Sequence, residues 1–203
     1  MQNIEKETLQ QTADRLKKLS GKVKGEVFFN HTRYIEEKEG RGGLKRLEDK
    51  MASLGCPISL KKIDRDSWQE EWLSSLLIVV AKEIFYWEDK NVFEMGKYAS
   101  SISLILRFVI QNFTSSKKLF KESPKYWNNL FDFGSLEPVS FDKKKKEAVL
   151  RVLGFRAHPL ICIYHLGYLC GLAELVLKKE NVVVAQIKSV WIGDEYDEYR
   201  IKW

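Results

Sequence analysis

The run His158-Pro159-Leu160-Ile161-Cys162-Ile163-Tyr164-His165-Leu166-Gly167-Tyr168-Leu169-Cys170-Gly171-Leu172-Ala173-Glu174 decides the fold. Proline is well placed in the first turn of a helix, so Pro159 opens one that the apolar pattern carries to about Lys178. Gly167 and Gly171 stand four apart, on one face of that helix. Each costs roughly 1 kcal/mol against alanine in a helix interior, so the face needs a packing reason, close approach to a sheet or to another helix. Working outward, Asn181–Trp191 and Glu195–Trp203 read as a hairpin about the Gly193-Asp194 turn. On the other side, Leu136–Phe141 and Ala148–Phe155 read as a strand pair joined by the lysine turn Lys143–Lys146. A helix between two strand pairs implies an α+β fold, an antiparallel β-sheet with several long helices packed mainly on one face.

Further upstream, 116–131 is an amphipathic helix interrupted at Pro124. Asn91–Phe113 carries a continuous apolar stripe with small residues at Gly96, Ala99, Ser100 and Ser103. A helix capped at Asp66 or Ser67 runs to about Trp87 and is apolar nearly all round from Trp72 to Ala81, which makes it central. Glu26–Ile35 is rich in β-formers and reads as a strand, and Gly40, Gly42 and Gly43 read as a loop. Leu44, Leu47, Met51 and Leu54 recur at helical spacing up to Gly55. A polar helix over 2–19 has a thin apolar face, and with Trp68, Trp87 and Trp127 expected at the surface it points to a homodimer.

With 44% hydrophobic residues, six Trp and eleven Phe, the chain can fill a real core. The net charge is +6, but the lysines are spread along the chain with no arginine stripe, so nucleic acid is not an expected partner. Cys56, Cys162 and Cys170 are an odd, sparse set that suits reduced thiols in the cytoplasm, and the charged start is not a secretory signal. The longest fully apolar run, Leu76–Ala81, is far short of the ~20 residues that span a bilayer, so no transmembrane segment is expected.

The helix with its Gly167-Tyr168-Leu169-Cys170-Gly171-Leu172 run, followed by Gly193-Asp194-Glu195-Tyr196-Asp197-Glu198-Tyr199-Arg200-Ile201, resembles the vinyl-4-reductase (hydrocarbon-binding) domain over about residues 90–203. That family is related in fold to subunits of the TRAPP tethering complex. The resemblance implies a fold like that of TRAPP subunits and vinyl-4-reductase domains, with an apolar ligand pocket. The chain is expected to be one compact domain, in which an extension over 1–60, made of helix, strand and helix, packs on a ligand-binding core over 61–203. Sensor members of the family hold zinc through a helix cysteine and two hairpin cysteines. Cys162 matches the first, but Ser189 and Asp197 stand at the others, so no tight zinc is expected, although His158, Cys162 and His165 share one helix face. Related haem-nitric-oxide-binding domains use a proximal histidine and a Tyr-x-Ser-x-Arg motif. Tyr98-Ala99-Ser100-Ser101-Ile102 lacks the arginine, so haem is rejected and no cofactor is expected.

No nucleotide-binding glycine loop, nucleophile elbow or His-Glu-x-x-His occurs, which argues against an enzyme. The expected function is a non-catalytic small-molecule sensor, taking an apolar, aromatic or acyl ligand and acting through an effector protein. An adaptor of the TRAPP type and a tetrapyrrole vinyl-reductase accessory are the alternatives. The expected pocket is lined by Trp72, Leu76 and Val80 from the first long helix and by Met95, Tyr98, Ala99, Ile102, Leu106 and Arg107 from the second. Ile161, Tyr164 and Tyr168 complete it, with Tyr98, Tyr164 and Arg107 as its polar groups.

Overall fold

The computed structural model describes residues 7–103 and 115–203. The chain forms two compact units, Met1–Glu88 and Asp89–Trp203. The boundary expected near residue 60 falls inside the first of them.

In the first unit α1 (Leu9–Leu16) starts at a capping box: the Gln11 N–H donates to Thr8 Oγ1 at 3.2 Å, and the Thr8 N–H donates to Gln11 Oε1 at 2.8 Å. Its narrow apolar face is not left over for a partner, since Thr12, Ala13 and Leu16 are buried and α1 packs on α3 (Glu71–Ile84). The expected strand over 26–35 is instead the start of α2 (Gly25–Ser53). Phe28, His31, Thr32 and Ile35 are among its buried residues, and their spacing of three, four and seven is helical. The glycines expected to form a loop lie within the same helix, which breaks only at Gly40, with φ 70°. Two short strands, β1 (Lys22–Lys24) and β2 (Trp68–Glu70), pair antiparallel. The central α3 is buried without interruption from Ser74 to Ala81, as its all-round apolarity predicts.

In the second unit α4 (Asp89–Ile102) is followed by α5 (Ser116–Leu130), which continues through Pro124 rather than stopping there. The four-stranded sheet runs β3-β4-β6-β5, all antiparallel, from β3 (Ser135–Asp142), β4 (Glu147–Leu153), β5 (Val183–Lys188) and β6 (Asp197–Lys202). One face carries Phe141, Ala148, Leu150, Tyr199 and Ile201 and is covered by α5 and α6 (Pro159–Leu177). The other carries ion pairs: Arg151 with Glu198 at 2.9 Å, and Glu147 with Arg200 and Lys202 at 3.7 and 3.6 Å. Helices on one face is therefore right for this unit. Trp127, Phe131, Phe133 and Phe155 fill the space beneath α5, and the Trp127 indole donates to Phe133 O at 3.0 Å.

Two of the three tryptophans expected at the surface are inside: Trp87 is 6% and Trp127 7% exposed, against 41% for Trp68. By length and composition α6 is apolar enough to cross a membrane. Unbroken apolar runs do not reveal it, because tyrosine, histidine and glycine interrupt its sequence. Here it is the core helix of its unit.

The glycine face of α6 meets α4. A Cβ on Gly167 would collide with the Phe93 carbonyl oxygen, one on Gly171 with Ser100 Oγ, and one on Gly96 with the Tyr164 carbonyl oxygen. The room expected at Gly96 is thus taken up by the backbone of α6. Gly167→Ala should cost about 1–3 kcal/mol or more through overpacking, read as a lowered denaturation midpoint. Gly42→Ala, where a Cβ meets nothing within 4 Å, should be neutral or stabilising by about 1 kcal/mol in the same measurement.

A second expectation concerns Glu71, buried at the start of α3, whose carboxylate accepts from the Ser75 hydroxyl. Burial pushes its pKa up to about 7, against the opposing pull of the Ser75 bond. The folded state therefore favours the protonated acid. That stability is full below the ordinary carboxylate range and is lost as pH rises to about 7. Glu71→Gln should flatten this part of the stability–pH curve in chemical denaturation.

Candidate ligand site in the second unit

Of the residues expected to line a pocket, Met95 and Ala99 are buried on α4, and Tyr98 and Ile102 are half-buried there. Ile161 and Tyr164 are buried on α6, with Tyr168 half-buried. The structure brings these two helices together along the glycine contact. Trp72, Leu76 and Val80 belong to the first unit, where Leu76 and Val80 are wholly buried on α3. Leu106 and Arg107 lie outside the described residues. A cleft of about 320 Å³ does open between α4 and the end of α6, but none of these residues lines it. Lys97, Ser100, Ser101, Glu174 and Lys178 are among its lining, and Lys97 pairs with Glu174 at 2.9 Å.

Cys162, Ser189 and Asp197 do converge, at the start of β6. Asp197 Oδ1 accepts from Gln186 Nε2 at 2.8 Å and from the Val190 N–H at 3.1 Å, and its carboxylate also meets the Ser189 hydroxyl and the Cys162 thiol. Burial, then the Asp197 charge, pushes the Cys162 thiol up to about 11. It is held as a neutral thiol hydrogen-bonded to a carboxylate, which is poor preparation for a metal. The helix-face set His158, Cys162 and His165 is not assembled around one point. His158 caps α6, its Nδ1 accepting from the Leu160 N–H at 3.2 Å. Among the described residues no group of three His, Cys, Asp or Glu side chains is placed to hold a metal ion.

His165 has a different setting, one that spacing along the helix does not show. Its imidazole is ringed by Phe155 (5.2 Å between centroids), Trp127 (6.1 Å), Tyr164 (6.3 Å) and Tyr199 (6.3 Å). These come from α5, α6, β6 and the segment after β4. Burial pushes its pKa down to about 4, so the ring is neutral at physiological pH, while the residue as a whole keeps some solvent access. The aromatic cage and the retained access make it the strongest candidate for a ligand-facing polar group in this unit.

No family model matches the sequence, and no curated protein does. Solved structures do match the fold. An H-NOX protein from S. oneidensis in its Fe(II)NO state is 13% identical, covers 88% of this chain and 98% of its own, and has a TM-score of 0.68. An oxygen-binding H-NOX domain related to soluble guanylate cyclases is 11% identical, with 88% and 94% covered and a TM-score of 0.62. A structure probing haem distortion in the H-NOX family is 13% identical, with 89% and 94% covered and a TM-score of 0.60. The chain therefore has the H-NOX fold. The resemblance to vinyl-4-reductase domains and TRAPP subunits is overturned by this match. Its central motif, the Gly167–Leu172 run, records a close helix–helix contact, which unrelated folds also need. The expectation of no cofactor is overturned by the same comparison, since matched structures of this fold concern haem, its redox potential and its distortion.

The residues here meet one half of what haem requires. An iron ligand needs a neutral nitrogen base, and His165 is one, set among aromatic rings that suit a porphyrin's apolar faces. The Tyr-x-Ser-x-Arg sequence occurs nowhere in the chain; Tyr196-x-Glu198-x-Arg200 keeps its first and last members only. Its Arg200 is already directed at Glu147 on the charged face of the sheet.

Because His165 is neutral when folded, the unfolded chain takes up its proton first as pH falls below about 6.5. Stability from this group is thus present above that value and lost as pH drops to about 4. Denaturation of His165→Phe across this range should show a shallower loss than the parent protein.

Proposed function

We propose that this protein is a non-catalytic small-molecule sensor of the H-NOX type, acting through a partner protein. The observation that carries the reading is the fold, matched over 88% of this chain and 98% of an H-NOX protein. Haem is the cofactor this reading assigns, with His165 as the residue that holds it. Bound haem would supply an iron centre for a diatomic gas. The chain's own part is to present one neutral imidazole within an aromatic cage, where Trp127, Phe155 and Tyr199 surround the ring. An apolar or acyl ligand is replaced by this assignment.

Nothing in the arrangement calls for a catalytic step, and the setting that suits the free thiols Cys56, Cys162 and Cys170 is the cytoplasm. A homodimer belongs to the proposal on new ground. Edge strand β5 and the turn after it expose Val183 (61%), Ile187 (37%) and Ile192 (83%), apolar residues along the open side of the sheet.

Titration with haemin should produce a sharpened, red-shifted Soret band at one equivalent, and His165→Ala should lose it while keeping its far-ultraviolet dichroism. A parent protein that leaves the haemin spectrum unchanged, or a His165→Ala spectrum identical to the parent's, would reject the assignment. For the dimer, sedimentation equilibrium should give twice the chain mass, and Ile187→Lys with Ile192→Lys should return it to the monomer.

A further inference from the structure

The β3–β4 turn is four consecutive exposed lysines, Lys143–Lys146. α5 runs back along β3, so its first turns come to the same end of the sheet. There Phe120 packs on Phe141 at 5.5 Å between ring centroids, and Phe141 packs on Trp203 at 5.5 Å. The Trp203 N–H donates to Lys146 O at 3.1 Å, which ties the last strand to the turn. All three rings are only partly covered, and exposed Lys117 and Lys121 flank Phe120 on α5. The acids at this end are engaged. Asp142 Oδ1 accepts the N–H groups of Lys144 and Lys145 at 2.9 Å each, and Glu147 is shared between Arg200 and Lys202. Six lysines from two distant segments thus converge around a half-exposed aromatic trio, and the even spread of charge along the chain conceals it.

We infer that this end of the second unit is a contact face for an anionic lipid surface. Three features select that partner. The cations are lysines, compact charges that add diffusely to attraction by a negative membrane, and they stand on a turn and a helix start already open to solvent. Neither the turn nor the start of α5 offers an arginine fork, the group that reads phosphates and bases of nucleic acid bidentately. Phenylalanine and tryptophan rings, half-covered and ringed by charge, have the amphipathic character favoured at the level of lipid headgroups. This face is separate from His165, and its test does not depend on haem.

The experiment is co-sedimentation of the full chain with vesicles of phosphatidylcholine, alone and with a minority of phosphatidylserine. Binding should occur only with phosphatidylserine and fade as salt is raised, since screening shortens the reach of the lysines. Lys143→Gln with Lys144→Gln and Lys145→Gln should weaken it at least about tenfold, as should Lys117→Gln with Lys121→Gln. These positions are exposed, and unchanged circular dichroism of both variants verifies their folding. The vesicle-induced blue shift in tryptophan emission should shrink in Trp203→Phe. The inference is overturned if the parent protein ignores phosphatidylserine vesicles, or if neither lysine variant alters binding. It is equally overturned if duplex DNA binds through the same lysines while vesicles do not.

Discussion

The close contact of α4 with α6 is the constraint on which the second unit depends. At Gly96, Gly167 and Gly171 backbone meets backbone or a serine hydroxyl with no space for a Cβ. Helices held this near form a single layer, and the side chains on the far face of α6 then fall at defined points on the sheet. His165 reaches Tyr199 and Phe155, and Cys162 reaches Asp197, because the helix can be neither rolled nor lifted without a clash on its glycine side. Loss of helix propensity at these three glycines is offset by this dispersion contact and by the burial that follows it.

The sheet divides polar from apolar chemistry in a way that makes the interior readable. Its ion pairs lie on the charged face; those of Glu147 with Arg200 and Lys202 are screened by water and contribute little, whereas Arg151 donates twice to the buried Glu198 carboxylate. Its covered face holds the aromatic cluster and a few polar groups that burial forces into neutral forms: the imidazole of His165 and the thiol of Cys162. A neutral imidazole among aromatic rings is the kind of base a metalloporphyrin uses. A neutral thiol bonded to a carboxylate is a structural tie between α6 and the β5–β6 connection.

Much of the second unit is legible along the chain because its signals are local. Pro159 starts a helix, the lysine run is too charged to be anything but a turn, and strands on either side alternate. The stretch 26–35 resembles a strand because Val27, Phe28, Phe29, Thr32, Tyr34 and Ile35 are all good strand formers. Burial at Phe28, His31, Thr32 and Ile35 shows that the 3.6-residue period outweighs composition. The family resemblance fails for a related reason. A Gly-x-x-x-Gly spacing in an apolar helix states that something comes close, and does not state what.

By itself the sequence determined the strand pairing of the two hairpins, the central place of α3, and the need for close contact at Gly167 and Gly171. These depend on residues near one another in the chain, where periodicity and turn chemistry act directly. Only the tertiary structure decided that α4 is the partner of those glycines, that His165 lies inside an aromatic cage, and that Lys117, Lys121 and the Lys143–Lys146 turn meet around Phe120, Phe141 and Trp203. Each joins segments tens of residues apart, and which of them meet is settled by how the helices pack on the sheet, a property that no local stretch of the chain carries.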